Sequence, residues 1–170
     1  MFNLQQSEWL DLCESAEVLA SELIRREIKI TTVESCTGGS VAALFTGLAG
    51  SSMWFDRGFV TYSDRSKIEM VGVNPGSLEQ YGAVSKQVAD EMALGGVEHS
   101  EAHCALSITG IAGPGGGSDT KPVGLVCFGW AGFSQNSATQ KKIFHGGRQT
   151  VRVQSVIFAV QSAIRLFDRA

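Results

Sequence analysis

The sequence predicts an α/β protein, a three-layer α/β/α sandwich around a mixed, mostly parallel sheet of about five strands. Short β-branched segments alternate with amphipathic segments of helical period, which is typical of a sheet covered by helices on both faces. The chain has 170 residues, of which 44% are hydrophobic, the usual size and composition of one domain with one core. No internal repeat or linker divides it, so we expect a single domain over residues 1–170.

The first half of the chain contains the better-defined periodic segments. In order, we predict a helix over Asn3–Arg26, a strand over Ile28–Val33, a helix over Gly38–Leu48 and a strand over Trp54–Tyr62. Asp64 is expected to cap a short helix that runs through Lys67 to Met70.

The second half begins with a turn signal, Asn-Pro-Gly-Ser, whose Ser77 is expected to start another short helix. Ser85 is predicted to be the N-cap of a helix that carries Val88 and Met92 on its apolar face. Three strands and a final helix follow, predicted over Cys104–Thr109, Pro122–Trp130, Thr139–Phe144 and Val151–Phe167. The last two strands have only a short polar connection, which favours one antiparallel pair in the sheet.

Composition excludes several classes of function. The net charge is −3 and there is no basic cluster, so a nucleic-acid partner is not expected. No apolar run approaches the ~18 residues of a membrane span, and the first residues lack the basic start of a signal peptide. The four cysteines form no CxxC pair, so we expect reduced thiols in a cytoplasmic protein and no zinc site. They are Cys13, Cys36, Cys104 and Cys127.

The segment Glu-Ser-Cys-Thr-Gly-Gly joins the first predicted strand to the second predicted helix. Glycines allow close backbone approach, and free amides at a helix start can hold an anion or a developing oxyanion. Ser35 in this segment is therefore a candidate nucleophile, with Thr37, Gly38 and Gly39 as candidate binding residues. The alternative is that Ser35 or Thr37 only caps the helix.

Tyr62 and Lys67 follow the second predicted strand. A helix N-terminus and desolvation both lower the pKa of a lysine, and a neutral lysine is a competent general base. Tyr62 could relay a proton or orient the amine. The alternative is a surface lysine beside a half-buried tyrosine.

A glycine-rich loop follows Thr109 and contains six glycines between Gly110 and Gly124. It lacks the Gly-Lys-Ser/Thr ending of a P-loop, yet its backbone suits an anionic or amide-bearing ligand. Arg148 could add a guanidinium for phosphate, or be a solvated arginine at a helix start. His99 and His103 have the spacing of a metal pair but no third ligand, and we predict that they bind no metal.

Five motifs in this order resemble the CinA C-terminal domain family: ESCTGG, GSSMWFDRGFVTYSDRSK, YGAVS, TGIAGPGGGSDTKPVG and FHGGR. The resemblance covers nearly the whole chain. It implies the sandwich fold, frequent oligomerisation, and hydrolysis of the carboxamide of nicotinamide mononucleotide in pyridine-nucleotide salvage, without metal or cofactor. It also implies Ser35 as nucleophile, Tyr62 and Lys67 as its catalytic partners, and Thr109 and Arg148 in substrate binding.

The chain departs from the family pattern at Gly147, where an aspartate commonly precedes the arginine; this bears on the orientation of Arg148. Two other interpretations remain open at this point. Cys36 could be the nucleophile, because a helix N-terminus lowers the pKa of a thiol. Alternatively, the chain could be a non-catalytic nucleotide-binding or regulatory module of the same fold.

Overall fold

The computed structural model describes residues 6–133 and 137–167. The helices of this part are α1 (Gln6–Arg25), α2 (Ser40–Thr46), α3 (Asp64–Val71), α4 (Pro75–Tyr81), α5 (Lys86–Glu98) and α6 (Arg148–Phe167). The strands are β1 (Ile30–Glu34), β2 (Phe55–Val60), β3 (Cys104–Gly110), β4 (Leu125–Ala131) and β5 (Ala138–Ile143).

The five strands form one sheet in the order β2-β1-β3-β4-β5. β1 pairs in parallel with β2 and with β3, whereas β4 is antiparallel to both β3 and β5. The predicted mixed sheet is therefore confirmed, and four of its strands run in one direction. The predicted antiparallel pairing of the last two strands, β4 and β5, is confirmed. A second antiparallel pair, β3 with β4, was not predicted; it arises because the glycine-rich loop after β3 reverses the chain.

Helices cover both faces of the sheet, as predicted. On one face, α1, α2 and α6 enclose the larger hydrophobic cluster, with Phe45, Phe128 and Val160 in its interior. On the other face, Val71, Val88 and Met92 of α3 and α5 form a smaller cluster with Val33.

Strand β1 supplies side chains to both faces by simple alternation. Ile30 belongs to the larger cluster and Val33 to the smaller one. A Cβ at Gly96 of α5 would lie 2.6 Å from Cγ2 of Val33, so α5 rests directly on this strand. Glu34, one residue further, therefore faces the side on which α2 lies.

Several helix starts differ from the predicted boundaries, and β4 begins at Leu125 and not at Pro122. The N-cap of α3 is Ser63, whose hydroxyl accepts from the Ser66 amide, so the prediction of Asp64 as cap is wrong. Helix α4 begins at Pro75 with Asn74 as its cap, and not at Ser77, because proline is well suited to the first helical position. Ser85 caps α5 as predicted.

Two further helices begin elsewhere than predicted. Gly38 and Gly39 have φ of +60° and +87°, a left-handed conformation that cannot continue into a helix, so α2 begins at Ser40. Helix α6 begins at Arg148, three residues before the predicted start, which places this arginine in the first turn. The first three residues of the predicted N-terminal helix, 3–5, lie outside the described residues.

We expect Gly129→Ala to destabilise the fold, because α5 lies very close to the sheet at this glycine of β4. A Cβ here would overlap the carbonyl oxygen of Ala89 and lie 2.7 Å from Oγ of Ser107. Overpacking of this kind costs about 1–3 kcal/mol. Urea unfolding should show a lower midpoint for Gly129→Ala. Gly115→Ala is the matched control, since nothing lies within 4 Å of its added Cβ; equal midpoints for the two variants would contradict the prediction.

Candidate active site

The carboxyl ends of the parallel strands β1, β2 and β3 meet at one edge of the sheet, where α/β proteins bind ligands. Ser35 follows β1, Tyr62 follows β2, and Thr109 lies near the end of β3. A cavity of about 190 Å³ opens between these strand ends. Its lining consists of Ser35, Cys36, Tyr62, Asp64, Lys67, Ala83, Val84, Thr109, Gly110, Ala112 and Arg148.

Ser35 is held by the sheet although it lies just beyond β1. Its amide donates to the carbonyl of Ile108 at 2.9 Å, and the carbonyl of Glu34 accepts from the Thr61 amide at 2.8 Å. The peptide between Glu34 and Ser35 is thus bonded to both neighbouring strands. Ser35 is 8% exposed and lines the cavity.

Lys67 reaches Ser35 from α3. Its Nζ lies 3.2 Å from Oγ of Ser35 and donates to the carbonyl of Thr61 at 2.8 Å. The side chain is 1% exposed, and this burial lowers the pKa of Lys67, while Asp64 and Cys36 act in the opposite direction. Lys67 is therefore a buried amine with an increased neutral fraction and not a surface lysine.

Tyr62 and Arg148 form a separate pair at the mouth of the cavity. Nη2 of Arg148 donates to the Tyr62 hydroxyl at 3.2 Å, and Nη1 donates to the carbonyl of Gly113 at 3.0 Å. Within the described part of the chain, no hydrogen bond joins the Tyr62 hydroxyl to Ser35 or Lys67. The tyrosine and the glycine-rich loop orient Arg148, so the guanidinium is held without an aspartate at position 147.

Thr109 lines the cavity but uses its hydroxyl internally. The hydroxyl donates to the carbonyl of Ala83 at 2.9 Å, and the residue is 1% exposed. This bond ties the end of β3 to the wall formed by Ala83 and Val84. Gly110 brings the backbone close to β4, because a Cβ there would lie 2.9 Å from the carbonyl oxygen of Leu125.

The turn after Ser35 is organised by a residue that sequence reasoning missed. The N-cap of α2 is Gly39, and no side chain of the predicted caps serves it, so the interpretation of Ser35 or Thr37 as cap is wrong. The carboxylate of Glu34 instead accepts from the amides of Val41 at 3.1 Å and Ala42 at 2.9 Å. An acid directly before a candidate nucleophile was visible in the sequence, but nothing in the spacing indicated where it points.

Arg152 of α6 is a second residue that the sequence did not single out. Its Nη2 donates to the carbonyl of Thr37 at 2.8 Å and to Oγ of Ser40 at 3.1 Å. Thr37, Gly38 and Gly39 lie behind the cavity and do not line it. Asp64, predicted only as a helix cap, does line it.

Cys36 is a weaker candidate nucleophile than Ser35. Burial raises the pKa of its thiol to about 12, and the neighbouring Glu34 carboxylate acts in the same direction. A thiol reacts as its thiolate, so the helix-start argument for Cys36 does not hold here. All four cysteines are free thiols, as predicted.

The two histidines with metal-like spacing are engaged separately. Nδ1 of His99 lies 2.9 Å from the carbonyl oxygen of Gly95, and Nδ1 of His103 accepts from the Lys29 amide at 3.0 Å. No cluster of three or more potential metal ligands occurs among residues 6–133 and 137–167. In the same ranges, no helix is long and apolar enough to cross a membrane.

Fold and site together define an α/β protein whose cavity, at the strand ends, contains a buried serine–lysine pair. The model of the CinA C-terminal domain matches residues 13–167, and the chain belongs to this family. It is 54% identical over 138 residues to the nicotinamide-nucleotide amidohydrolase PncC of Enterobacter agglomerans, covering 81% of this chain and 84% of the relative. The PncC of Escherichia coli K12 is 46% identical over 157 residues, covering 92% and 95%.

Solved structures agree with this assignment. The competence/damage-inducible protein CihA from Agrobacterium tumefaciens superposes with a TM-score of 0.89 at 41% sequence identity. The match covers 92% of this chain and 95% of that protein. The predicted α/β fold and the resemblance to the CinA C-terminal domain family are both confirmed.

We expect Asp64→Asn to move the pH dependence of Ser35 reactivity to lower pH. The Asp64 carboxylate raises the pKa of Lys67, so its removal lowers that pKa and makes the neutral amine available at lower pH. The rate at which a fluorophosphonate labels Ser35 should be measured across pH. Glu101→Gln is the control, because Glu101 precedes β3 and so lies at the edge of the sheet away from the cavity. This variant should leave the pH dependence of labelling unchanged. An unmoved or alkaline-shifted curve for Asp64→Asn would contradict the assignment of Lys67 as the base.

Proposed function

We propose that the protein hydrolyses the carboxamide of nicotinamide mononucleotide to nicotinate mononucleotide and ammonia. The observation that carries the proposal is the 3.2 Å contact between Nζ of Lys67 and Oγ of Ser35 inside the cavity. The names of the relatives at 54% and 46% identity supply the substrate. A serine with a buried lysine beside it is a known variant of the nucleophile–base arrangement for acyl transfer.

In the first half of the reaction, neutral Lys67 takes the proton of the Ser35 hydroxyl as Oγ attacks the carboxamide carbon. The tetrahedral intermediate then expels the amide nitrogen, to which Lys67 returns the proton, so that ammonia leaves and an acyl-serine remains. In the second half, Lys67 takes a proton from a water molecule as its oxygen attacks the ester carbon. The bond from this carbon to Oγ then breaks, Lys67 returns the proton to Oγ, and nicotinate mononucleotide leaves. The 3.2 Å contact favours direct transfer over a relay through Tyr62, whose hydroxyl is bonded to Arg148.

The oxyanion of the intermediate needs amide donors that reach the cavity. Thr37, Gly38 and Gly39, the residues expected for this role, do not line it, whereas Cys36 does. The Cys36 amide follows the nucleophile directly, the position that supplies an oxyanion donor in other serine hydrolases. We assign it this role; a well-aimed donor of this kind contributes about 3–4 kcal/mol to transition-state stabilisation.

Substrate binding is proposed for Arg148, whose guanidinium lies at the cavity mouth and is suited to a phosphate. Its contacts with Tyr62 and the Gly113 carbonyl hold it in place, which supports roles for Tyr62 and the glycine-rich loop in orienting the substrate. Thr109 and Gly110 shape the opposite wall. We also propose that the protein acts in the salvage of pyridine nucleotides, in the cytoplasm and as a homo-oligomer.

Ser35→Ala should abolish ammonia release from nicotinamide mononucleotide. Loss of a catalytic nucleophile lowers the rate by about 1,000-fold or more. Ser162→Ala is the matched control, because it makes the same change at a buried serine of α6.

Iodoacetamide should leave the wild-type rate intact, since the Cys36 thiol is buried and protonated. Ligand binding without ammonia release by the wild type would favour the non-catalytic module, and a Ser35→Ala variant near the wild-type rate would refute the mechanism.

Lys67→Met should remove activity and change how stability depends on pH. Loss of a general base costs about 100- to 10,000-fold in rate. The pKa of Lys67 is lower in the folded state than its ordinary value of 10.5, so the unfolded chain binds more protons between these two values. The free energy of unfolding therefore rises with pH in that window for the wild type. This rise should be smaller in Lys67→Met, and unchanged in the control Lys141→Met on β5.

A further inference from the structure

Glu34 is a fully buried carboxylate directly before the nucleophile, and the proposed chemistry does not use it. Both of its oxygens accept hydrogen bonds from the first turn of α2, at 3.1 Å from the Val41 amide and 2.9 Å from the Ala42 amide. Burying a charge is costly unless its lone pairs are satisfied. A carboxylate retained in this place therefore stabilises a particular arrangement of the chain around it.

Alternation along β1 sends Glu34 and Ser35 to opposite faces of the sheet. Glu34 reaches α2 on one face, while Ser35 reaches Lys67 of α3 on the other. The two side chains are joined by a peptide that is bonded on both sides to neighbouring strands. The contacts of the Glu34 side chain therefore fix where α2 starts relative to the backbone from which Ser35 projects.

The turn from Ser35 to Gly39 is closed by Glu34 at its base. The carboxylate links the end of β1 to the start of α2 and so fixes the distance that the turn must span. Arg152 braces the outer side of the same turn by donating to the Thr37 carbonyl and to Ser40 Oγ. The amides of Val41 and Ala42 donate to Glu34, so these two amides do not face an anion in the cavity.

We propose that Glu34 is a positioning residue: by clamping the start of α2 to the end of β1, it holds Oγ of Ser35 against Nζ of Lys67. The inference deepens the proposed amidase function and rests on it for its kinetic test. The Glu34 carboxylate contacts the amides of Val41 and Ala42 and neither Lys67 nor the Ser35 hydroxyl, so the proposed contribution is geometric. The charge of Asp64 raises the pKa of Lys67, whereas Glu34 determines the position of the Ser35 side chain.

Glu34→Gln is the test, because it keeps the size of the side chain but places an amide NH₂ against one of the two helix amides. Misplacement of a reacting group by about 1 Å lowers a rate about 100-fold. We expect kcat for ammonia release to fall by roughly that factor while KM stays within about threefold, since Arg148 and the cavity wall are untouched. The pH profile should keep its position, in contrast to that of Asp64→Asn.

Fluorophosphonate labelling of Ser35 provides a second readout that does not depend on the substrate. It should slow in Glu34→Gln in parallel with kcat. If the wild type releases no ammonia, the proposed function fails, and the labelling rate still decides the role of Glu34. Val160→Ala is the stability control, because it removes two methyl groups from the core without touching the turn, and its labelling and kcat should stay near wild type.

Three results would overturn the proposal. The first is a kcat and labelling rate for Glu34→Gln within about threefold of wild type, and the second is an equal loss of kcat in a Val160→Ala variant of matched melting temperature. The third is a pH profile of Glu34→Gln that is shifted but reaches the wild-type plateau. If Glu34→Gln cannot be obtained folded, Glu34→Asp decides by the same criteria. That variant retains the charge but reaches the α2 amides less well, so it should give a smaller loss of kcat, again with KM unchanged.

Discussion

The peptide that joins Glu34 to Ser35 is the point on which the rest of the site depends. Its carbonyl is bonded to β2 and its amide to β3, so it is the last part of β1 that the parallel sheet still holds on both sides. Beyond it the chain leaves the sheet through two left-handed glycines and enters α2. Ser35, the proposed nucleophile, thus lies where the backbone is still held on both sides and its side chain already faces a cavity.

Lysine burial is the second constraint. Lys67 is among the largest fully buried side chains, and desolvation of its amine opposes folding whenever the amine is charged. The same desolvation lowers the pKa of the amine and so increases its neutral fraction, the form that the proposed mechanism needs as a base. The Thr61 carbonyl and the Ser35 hydroxyl are the polar partners that make this burial tolerable, and both come from the strand ends. A less buried lysine would oppose folding less, but its pKa would be higher and it would be a poorer base for the proposed mechanism.

The sequence predicted the architecture well because the architecture follows from periodicity. The alternation of β-branched and amphipathic segments is a local signal, and it gives the order of strands and helices even where the end of an element is misplaced. The errors lie at helix starts, where a single residue determines the boundary. Ser63 rather than Asp64 caps α3, and α4 begins at Pro75 with Asn74 as its cap. Neighbouring polar residues compete for such roles, and only the backbone conformation determines which one succeeds. The direction of β4 was likewise not a property of its own residues, since the loop before it sets that direction.

The sequence predicted which residues belong to the candidate site, but not which of them contact each other. Ser35, Lys67, Tyr62 and Arg148 were each visible beside strand ends, yet the sequence grouped Tyr62 with the serine–lysine pair. The cavity divides these four residues into two pairs: Ser35 with Lys67 in the buried interior, and Tyr62 with Arg148 at the mouth. The interior pair suits proton transfer because the lysine amine is buried beside the serine hydroxyl, and the outer pair suits recognition of a charged group because it is exposed to solvent. Glu34 and Arg152 escaped prediction for the same reason, since their partners are backbone atoms of a turn whose path no periodicity encodes. In this fold the chemistry-bearing side chains can be found by residue type and strand position, whereas the groups that aim them are found only by tracing hydrogen bonds to the backbone.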